Sequence, residues 1–256
     1  MTVNILAVGD VCGKTGREML KKTLPKLRER KNIAFCVVNG ENTAGYGALP
    51  EHCDELFQAG ADVITLGNHT WDRRELRQYL DDNRYIIRPA NYAPQVPGRG
   101  WGVFDSSFGE VCVINLIGRC EMNFGTENPF FEADRILKNC ECKIKLVDFH
   151  AEATSEKRAM AFYLDGRVSA LWGTHTHVQT SDAEVFQSGM GYITDLGMTG
   201  ARRSVIGVKP RSALSRFLGD PPERYEDAEG RAKLECAVFE IDTETGGCAY
   251  VEAMRI

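Results

Sequence analysis

VSALWGTHTHVQTSD, residues 168–182, sets two histidines two positions apart directly behind an apolar run. A short apolar run closed by a glycine reads as a buried strand and its end. The chain has only five histidines in 256 residues, so two at one strand end make a concentration whose partners must be sought. Working outward, His150 closes KIKLVDFH and His69 stands beside Asn68 at the end of DVITLGNH. Only His52 falls inside a helical pattern, and no role is assigned to it.

The same punctuation recurs at the N-terminus. NILAVGD ends on Asp10, and IAFCVVNGEN ends on Glu41 and Asn42. Between these runs lie amphipathic stretches, GREMLKKTLPKLRERK, LPEHCDELFQAG and DRRELRQYLDD, which predict helices. WGVFDSSFGEVCVINLIG and LECAVFEIDTETGGCAYVEAMRI read as hairpins around glycine turns. EMNFGTENPFFEADRILKN reads as a loop and then a helix, and SEKRAMAFYLDG as a further helix. Alternating strands and helices predict one α/β domain over 1–256, built on one sheet or on two sheets face to face. No internal repeat or low-complexity linker divides it.

Five strands thus end in residues of acid–base or metal-ligand type, up to 167 positions apart. In open α/β sheets, ligands bind beyond the carboxyl ends of the strands, so these residues are expected to converge. Singly, each has a plainer reading: Asp10 as a turn former, Asn68–His69 as turn chemistry, a lone histidine as a satisfied polar group. Jointly they point to metal. In an extended segment, residues i and i+2 point the same way roughly 6.5–7 Å apart, so His175 and His177 can reach two neighbouring ions or grip one. Imidazole, carboxylate and amide oxygen favour manganese, iron or zinc over calcium. Seven candidate ligands suit two ions better than one, and a carboxylate-bridged pair is the usual clamp for phosphate-ester hydrolysis.

Bulk properties exclude other classes. A net charge of −5 gives no sign of an extended nucleic-acid surface. No apolar run approaches the length of a membrane span, and the N-terminus lacks the form of a signal peptide. Nine cysteines without a CxxC pair read as free thiols of a reducing, cytoplasmic setting. GDVCGKT is one residue short of a P-loop, and Asp10 would set a carboxylate where phosphate should sit. Lys14 and Arg17 read instead as the start of a solvated helix.

The blocks GDVCGKTGR, NGENTAGYG, LGNHTWD, DFHAEATSEK, GTHTHVQTSD and YITDLGMTG run in order over residues 9–200. Together they resemble the calcineurin-like metallophosphoesterases, and more closely their YmdB-like bacterial branch of 2′,3′-cyclic-nucleotide phosphodiesterases. The broad superfamily opens with Asp-x-His and bridges its metals with Asp; here Cys12 and Glu41 hold those positions, departures shared by the branch. The resemblance implies mixed β-sheets in a sandwich flanked by helices, with a small cap-like insertion near 119–140. It implies two di- or trivalent ions, iron or manganese before zinc. Asp10, Glu41, Asn42 and His177 would hold one; Glu41, Asn68, His150 and His175 would hold the other. His69 would stand beside them without binding metal, and its position at the edge of the site suits a general acid.

The expected chemistry is attack of a metal-bridging hydroxide on a small phosphoester, a 2′,3′-cyclic nucleotide, with a proton delivered to the leaving ribose oxygen. Asn128, Pro129 and Phe130 are candidates for a rim over the base, and Cys12 is a candidate soft ligand. Two other readings stand beside it: a phosphomonoesterase or 3′,5′-cyclic diesterase with the same metals, and a metal- or nucleotide-binding regulator with incidental catalysis. Self-association is left open.

Overall fold

The computed structural model is described over residues 1–122, 125–221 and 226–256. Its first half follows the βα rhythm. β1 (Thr2–Val8) leads through Gly9 into the two-residue β2 (Asp10–Val11) and helix α1 (Gly13–Arg30). Then come β3 (Ile33–Asn39), α2 (Pro50–Ala59), β4 (Val63–Thr65), α3 (Leu76–Asp82) and β5 (Ile86–Ile87). The hairpin of β6 (Trp101–Ser106) and β7 (Gly109–Ile117) opens the second half. It is followed by α4 (Pro129–Lys138), β8 (Ile144–His150), α5 (Thr154–Leu164) and β9 (Ala170–Thr174). Short strands β10 (Glu184–Val185), β11 (Gly191–Ile193) and β12 (Met198–Ala201) precede α6 (Pro210–Leu218) and β13 (Ala232–Lys233). The C-terminal hairpin is β14 (Glu235–Asp242) and β15 (Cys248–Arg255).

Two six-stranded sheets form, ordered β15-β14-β1-β3-β4-β5 and β10-β11-β9-β8-β7-β6. Within them β1, β3, β4 and β5 run parallel, as do β7, β8, β9 and β11. Strand alternation then dictates three apolar layers. Ile5, Ala7, Phe35 and Val37 meet Val111, Val113, Leu146 and Trp172 between the sheets. Their neighbours Leu6, Val8, Cys36 and Val38 face outward onto Leu20, Leu24 and Leu56 of α1 and α2. On the far side Cys112, Ile114, Val147 and Phe149 pack on Ala133, Ile136 and Met160 of α4 and α5. The expected sandwich flanked by helices is therefore the architecture. Because both faces of the parallel strands are covered, they read in the sequence as unbroken apolar runs.

Three local expectations need revision. α3 begins at Leu76, four residues later than its pattern suggests, because Asp72 turns back to His69 and Arg73 to the carbonyls of Ala44 and Tyr46. Lys14 does lie on an exposed face, paired with Glu18, but Arg17 is not solvated. Its side chain is 13% exposed, pairs with Glu55 of α2 and donates to the carbonyl of Thr43, so it pins the loop after β3. The 119–140 stretch lays α4 on the outer face of the second sheet through Ala133 and Ile136; Asn123 and Phe124 lie outside the described residues.

All nine cysteines are free thiols, seven of them buried. Among the described residues, no helix is long and apolar enough to cross a membrane.

Candidate metal centre

The carboxyl ends of β1, β3, β4, β8 and β9 lie along one rim of the sandwich, and the strand-end residues meet there. His150, fully buried, is the hub. Its Nε2 lies 2.9 Å from Glu41 Oε1, 2.9 Å from Asn68 Oδ1 and 3.0 Å from His175 Nδ1. Its Nδ1 lies 2.9 Å from the hydroxyl of Thr174, which donates in turn to Asp148 Oδ1 at 2.7 Å. That direction fixes the tautomer: Nδ1 carries the proton and Nε2 is bare in the neutral ring. A bare nitrogen, a carboxylate oxygen, an amide oxygen and a second imidazole nitrogen thus face one another. Such a cluster of lone pairs needs a cation at its centre, either a proton or a metal ion. Burial would push His150 down, but Glu41 and Asp10 hold it above the usual histidine range, which is the proton's version of the same demand.

A second group adjoins the first through Asp10 and Glu41. His177 Nδ1 donates to the carbonyl of Ile206 at 2.8 Å, which leaves Nε2 facing Asn42 Oδ1 at 3.3 Å and Asp10 Oδ1 at 3.7 Å. Asn42 is oriented by its own amide, which donates to the carbonyl of Gly45. Asp10 Oδ1 is buried with no hydrogen-bond partner, while Oδ2 accepts the backbone N–H of His175 at 3.3 Å. An orphaned buried carboxylate oxygen is costly unless something outside the chain binds it. Burial raises the Asp10 carboxyl to about 6 against the pull of His177 and His150. At Glu41 burial also pushes upward, but His150, His69 and His175 outweigh it and hold the group down at about 2. Burial and the neighbouring His150 hold His175 down to about 3, so its ring is neutral and available as a ligand. The residues present therefore fit a bound cation at Glu41, His150 and His175, with the orphaned Asp10 oxygen and His177 beside it.

The backbone solution at the two histidines differs from the extended one expected. His175 has φ 99° and His177 φ 63°, both in the left-handed region that non-glycine residues avoid. The chain kinks at each, and it is the kinks rather than strand alternation that turn both rings into the cleft. Close approach governs a third position: a Cβ on Gly67 would collide with both Glu41 Oε2 and His150 Nε2, so only glycine fits before Asn68.

His69 stands outside both groups. Its backbone N–H donates to Glu41 Oε2 at 3.2 Å, while its ring turns to Asp72, with Nδ1 2.8 Å from Oδ2, and packs 4.8 Å from the ring of Tyr46. Nε2 is left without an intramolecular partner among the described residues. Cys12 Sγ lies 3.6 Å from Nδ1 of His177, behind the ring nitrogen that faces Asp10. Asn128 caps α4 by accepting from the N–H of Phe130, whose ring meets Tyr163 edge-on at 5.3 Å.

Several residues that shape the site carried no sequence signal. The cleft above the cluster encloses about 750 Å³ and is walled by Tyr46, Arg73, Glu152, the turn 205–208, α6 and residues 226–229, rather than by Asn128–Phe130. Glu152 Oε2 lies 3.1 Å from His175 Nε2. Lys157 and Asp195 form a buried pair at 2.7 Å beneath the His-Thr-His turn. Asp195 closes the strand-like YIT, so strand-end punctuation marks it as it marks the others; nothing marks Lys157.

Comparison with known proteins places the chain among relatives of one family. The family described as YmdB-like protein matches residues 6–254. A 2′,3′-cyclic-nucleotide 2′-phosphodiesterase of Bacillus subtilis (strain 168) is 41% identical over 99% of this chain and 97% of its own length. A putative phosphatase/phosphodiesterase of Mycoplasma pneumoniae is 35% identical over 100% of this chain and 93% of its own. Among solved structures, a novel phosphatase from Mycoplasma pneumoniae superposes with TM-score 0.94 at 35% identity, covering 100% of this chain and 94% of its own. A hypothetical protein from Thermus thermophilus gives 0.93 at 36%, covering 99% of each.

Proposed function

Because the chain belongs to the YmdB-like family and has the calcineurin-like metallophosphoesterase fold, we propose that it is a dinuclear metal-dependent phosphodiesterase acting on 2′,3′-cyclic nucleotides. The observation that carries the reading is the lone-pair cluster around His150 and the orphaned Asp10 oxygen 4.0 Å from that ring. Asp10, Glu41, Asn42 and His177 would hold one ion, and Glu41, Asn68, His150 and His175 the other. Bound there, the ions supply an activated water nucleophile and offset the charge of the phosphate.

The protein's own part is to orient and to move a proton. Thr174 and Asp148 hold the His150 ring, the carbonyl of Ile206 holds His177, and Glu152 holds His175, each through the nitrogen that does not face the cluster. Asp72 holds Nδ1 of His69, so Nε2 is the atom that delivers a proton to the leaving ribose oxygen. A ribose alkoxide departs poorly without that proton, which is why a group beside the ligands, and not one of them, is required. The identity of the substrate rests on the activity named for the Bacillus subtilis relative.

The test pairs metal analysis with a substrate panel. Protein purified without added metal is expected to carry two equivalents and to turn over 2′,3′-cyclic AMP in preference to 3′,5′-cyclic AMP and p-nitrophenyl phosphate. Glu41→Gln, which removes charge from both ions, is expected to lose both metals and turnover together. Full occupancy and activity in that variant, or preference for the monoester, would overturn the reading.

A further inference from the structure

Part of the cleft wall beside His177 is apolar, set among Lys209, Glu226, Asp227 and Glu229. α6 sets Ala213 and Phe217 one helical turn apart on the side lining the cleft, and the turn before it adds Val205, Ile206 and Val208. Phe217 is 81% exposed and Ile206 51% exposed, so neither contributes to the core. Large apolar side chains left in water beside a polar site mark a surface that something covers. This surface is continuous with the metal-ligand cluster, because the carbonyl of Ile206 accepts the proton of His177 Nδ1. A ligand held at the cluster by a phosphate can therefore reach Ile206, Ala213 and Phe217 with its remainder, in a cleft that Tyr46 and Arg73 line on another side. A cleft of about 750 Å³ has room for a whole mononucleotide.

We propose that Phe217, with Ile206 and Ala213, is a nucleobase-binding subsite: the planar base of a cyclic mononucleotide stacks on the Phe217 ring while its phosphate lies at the cluster of Asp10, Glu41, His150 and His177. The proposal rests on the phosphodiesterase reading above. Of the parts of a nucleotide, only the base is flat, weakly hydrated on its faces and suited to an aromatic wall. Ribose and phosphate seek the hydroxyl and charged groups deeper in the cleft. Stacking tolerates any base, since each has a π-face, so all four 2′,3′-cyclic nucleotides are expected as substrates, with purines at lower KM.

The experiment compares 2′,3′-cyclic AMP with a base-free analogue, 1-O-methylribose 2′,3′-cyclic phosphate, which keeps the same scissile bonds. In Phe217→Ala, KM for the nucleotide is expected to rise roughly 5- to 160-fold, the range of base–aromatic stacking. Its kcat should stay within about twofold, as for a contact made equally in ground and transition states. KM for the base-free analogue and the metal content should stay unchanged, and Phe217→Tyr should behave as wild type. Equal effects on both substrates, no effect on either, or wild-type KM values that do not differ between them would overturn the subsite and leave the phosphodiesterase reading intact. So would a change in solution mass on light scattering with KM unaltered, which would make the α6 ridge a contact between copies of the chain. Wild-type protein that turns over neither substrate would instead remove the underlying reading, and the subsite with it.

Discussion

Lys157 Nζ lies 2.7 Å from Asp195 Oδ2, and both side chains are almost wholly shut from solvent. The same Asp195 oxygen accepts the backbone N–H of Thr176, the residue between the two cleft histidines, at 3.2 Å, and Asp195 Oδ1 accepts the N–H of Gly197 at 2.8 Å. The pair is thus a post under the kinked turn that carries His175 and His177. Removing one partner of a buried ion pair strands the other's charge, at a cost of about 3–5 kcal/mol. Lys157→Met is expected to lose stability of that order in denaturant titrations and to bind both metals more weakly. A Lys157→Met variant with wild-type metal affinity would show that the turn holds its shape unaided.

The two histidines are expected to serve different ions. Replacing His177 should weaken the metal beside Asp10 and Asn42, and replacing His175 the metal beside Asn68 and His150; anomalous scattering from the two variants distinguishes them. At His175 the backbone adds a second expectation. With φ 99°, any side chain there is strained by about 1–3 kcal/mol, so His175→Gly should be more stable than His175→Ala, although both lack the ligand. Loss of the same metal from both histidine variants, or equal stability of the Gly and Ala variants, would contradict the assignment.

Gly67→Ala tests the closeness of the strand end to the ligands. Its Cβ would run into Glu41 Oε2 and His150 Nε2, atoms already held by their partners. The variant is expected to fold, since Gly67 stands at the rim, and to lose most metal binding. Retention of two equivalents would mean that the loop after β4 moves aside cheaply.

For His69, the leaving group discriminates between roles. His69→Ala should keep both metals and lose roughly 10²–10⁴-fold in turnover of a 2′,3′-cyclic nucleotide. It should lose far less with a p-nitrophenyl diester, whose leaving group departs without a proton. Asp72→Asn should share part of the loss, because the Nδ1 partner is weakened. Equal losses on both substrates would mean that the His69 ring supports the site without donating the proton, and no loss on either would leave only its backbone N–H to Glu41.

Metal uptake should depend on pH in a definite sense. In the metal-free protein burial raises the Asp10 carboxyl to about 6, whereas Glu41 is held down at about 2 and is ionised throughout the working range. Binding a cation at Asp10 therefore displaces a proton below pH 6 and none from Glu41. Apparent affinity should change little from this carboxyl above pH 6 and fall as pH drops below it, by up to about tenfold per unit for one displaced proton. Calorimetry at pH 5 in buffers of differing ionisation enthalpy counts the protons released, those of His150 and His177 included, since both are held above the usual histidine range. Absence of proton release at pH 5 would refute it.

The chain alone determined the layered α/β fold and which polar residues meet at the rim as candidate ligands, and for one physical reason. A strand buried on both faces must be an unbroken apolar run, so a polar residue directly after it stands at the rim where chain ends converge; Asp10, Glu41, Asn68, His150 and His175 all carry that local mark. The resemblance to a family added the proposal of which of them would share an ion. What only the tertiary structure decided depends on contacts between distant segments. The left-handed kinks at His175 and His177 exist because Asp195, the carbonyl of Ile206 and Asp10 hold the turn from three other parts of the chain. Arg17, in an ordinary helical pattern, proved to be a clamp on the loop after β3, because α1 and α2 pack together there. The cleft wall of 205–217 follows strands too short to leave a pattern, and its exposed Phe217 has the sequence appearance of any core residue. Where a side chain points, and whether water or protein meets it, is set by packing that no local stretch of sequence contains.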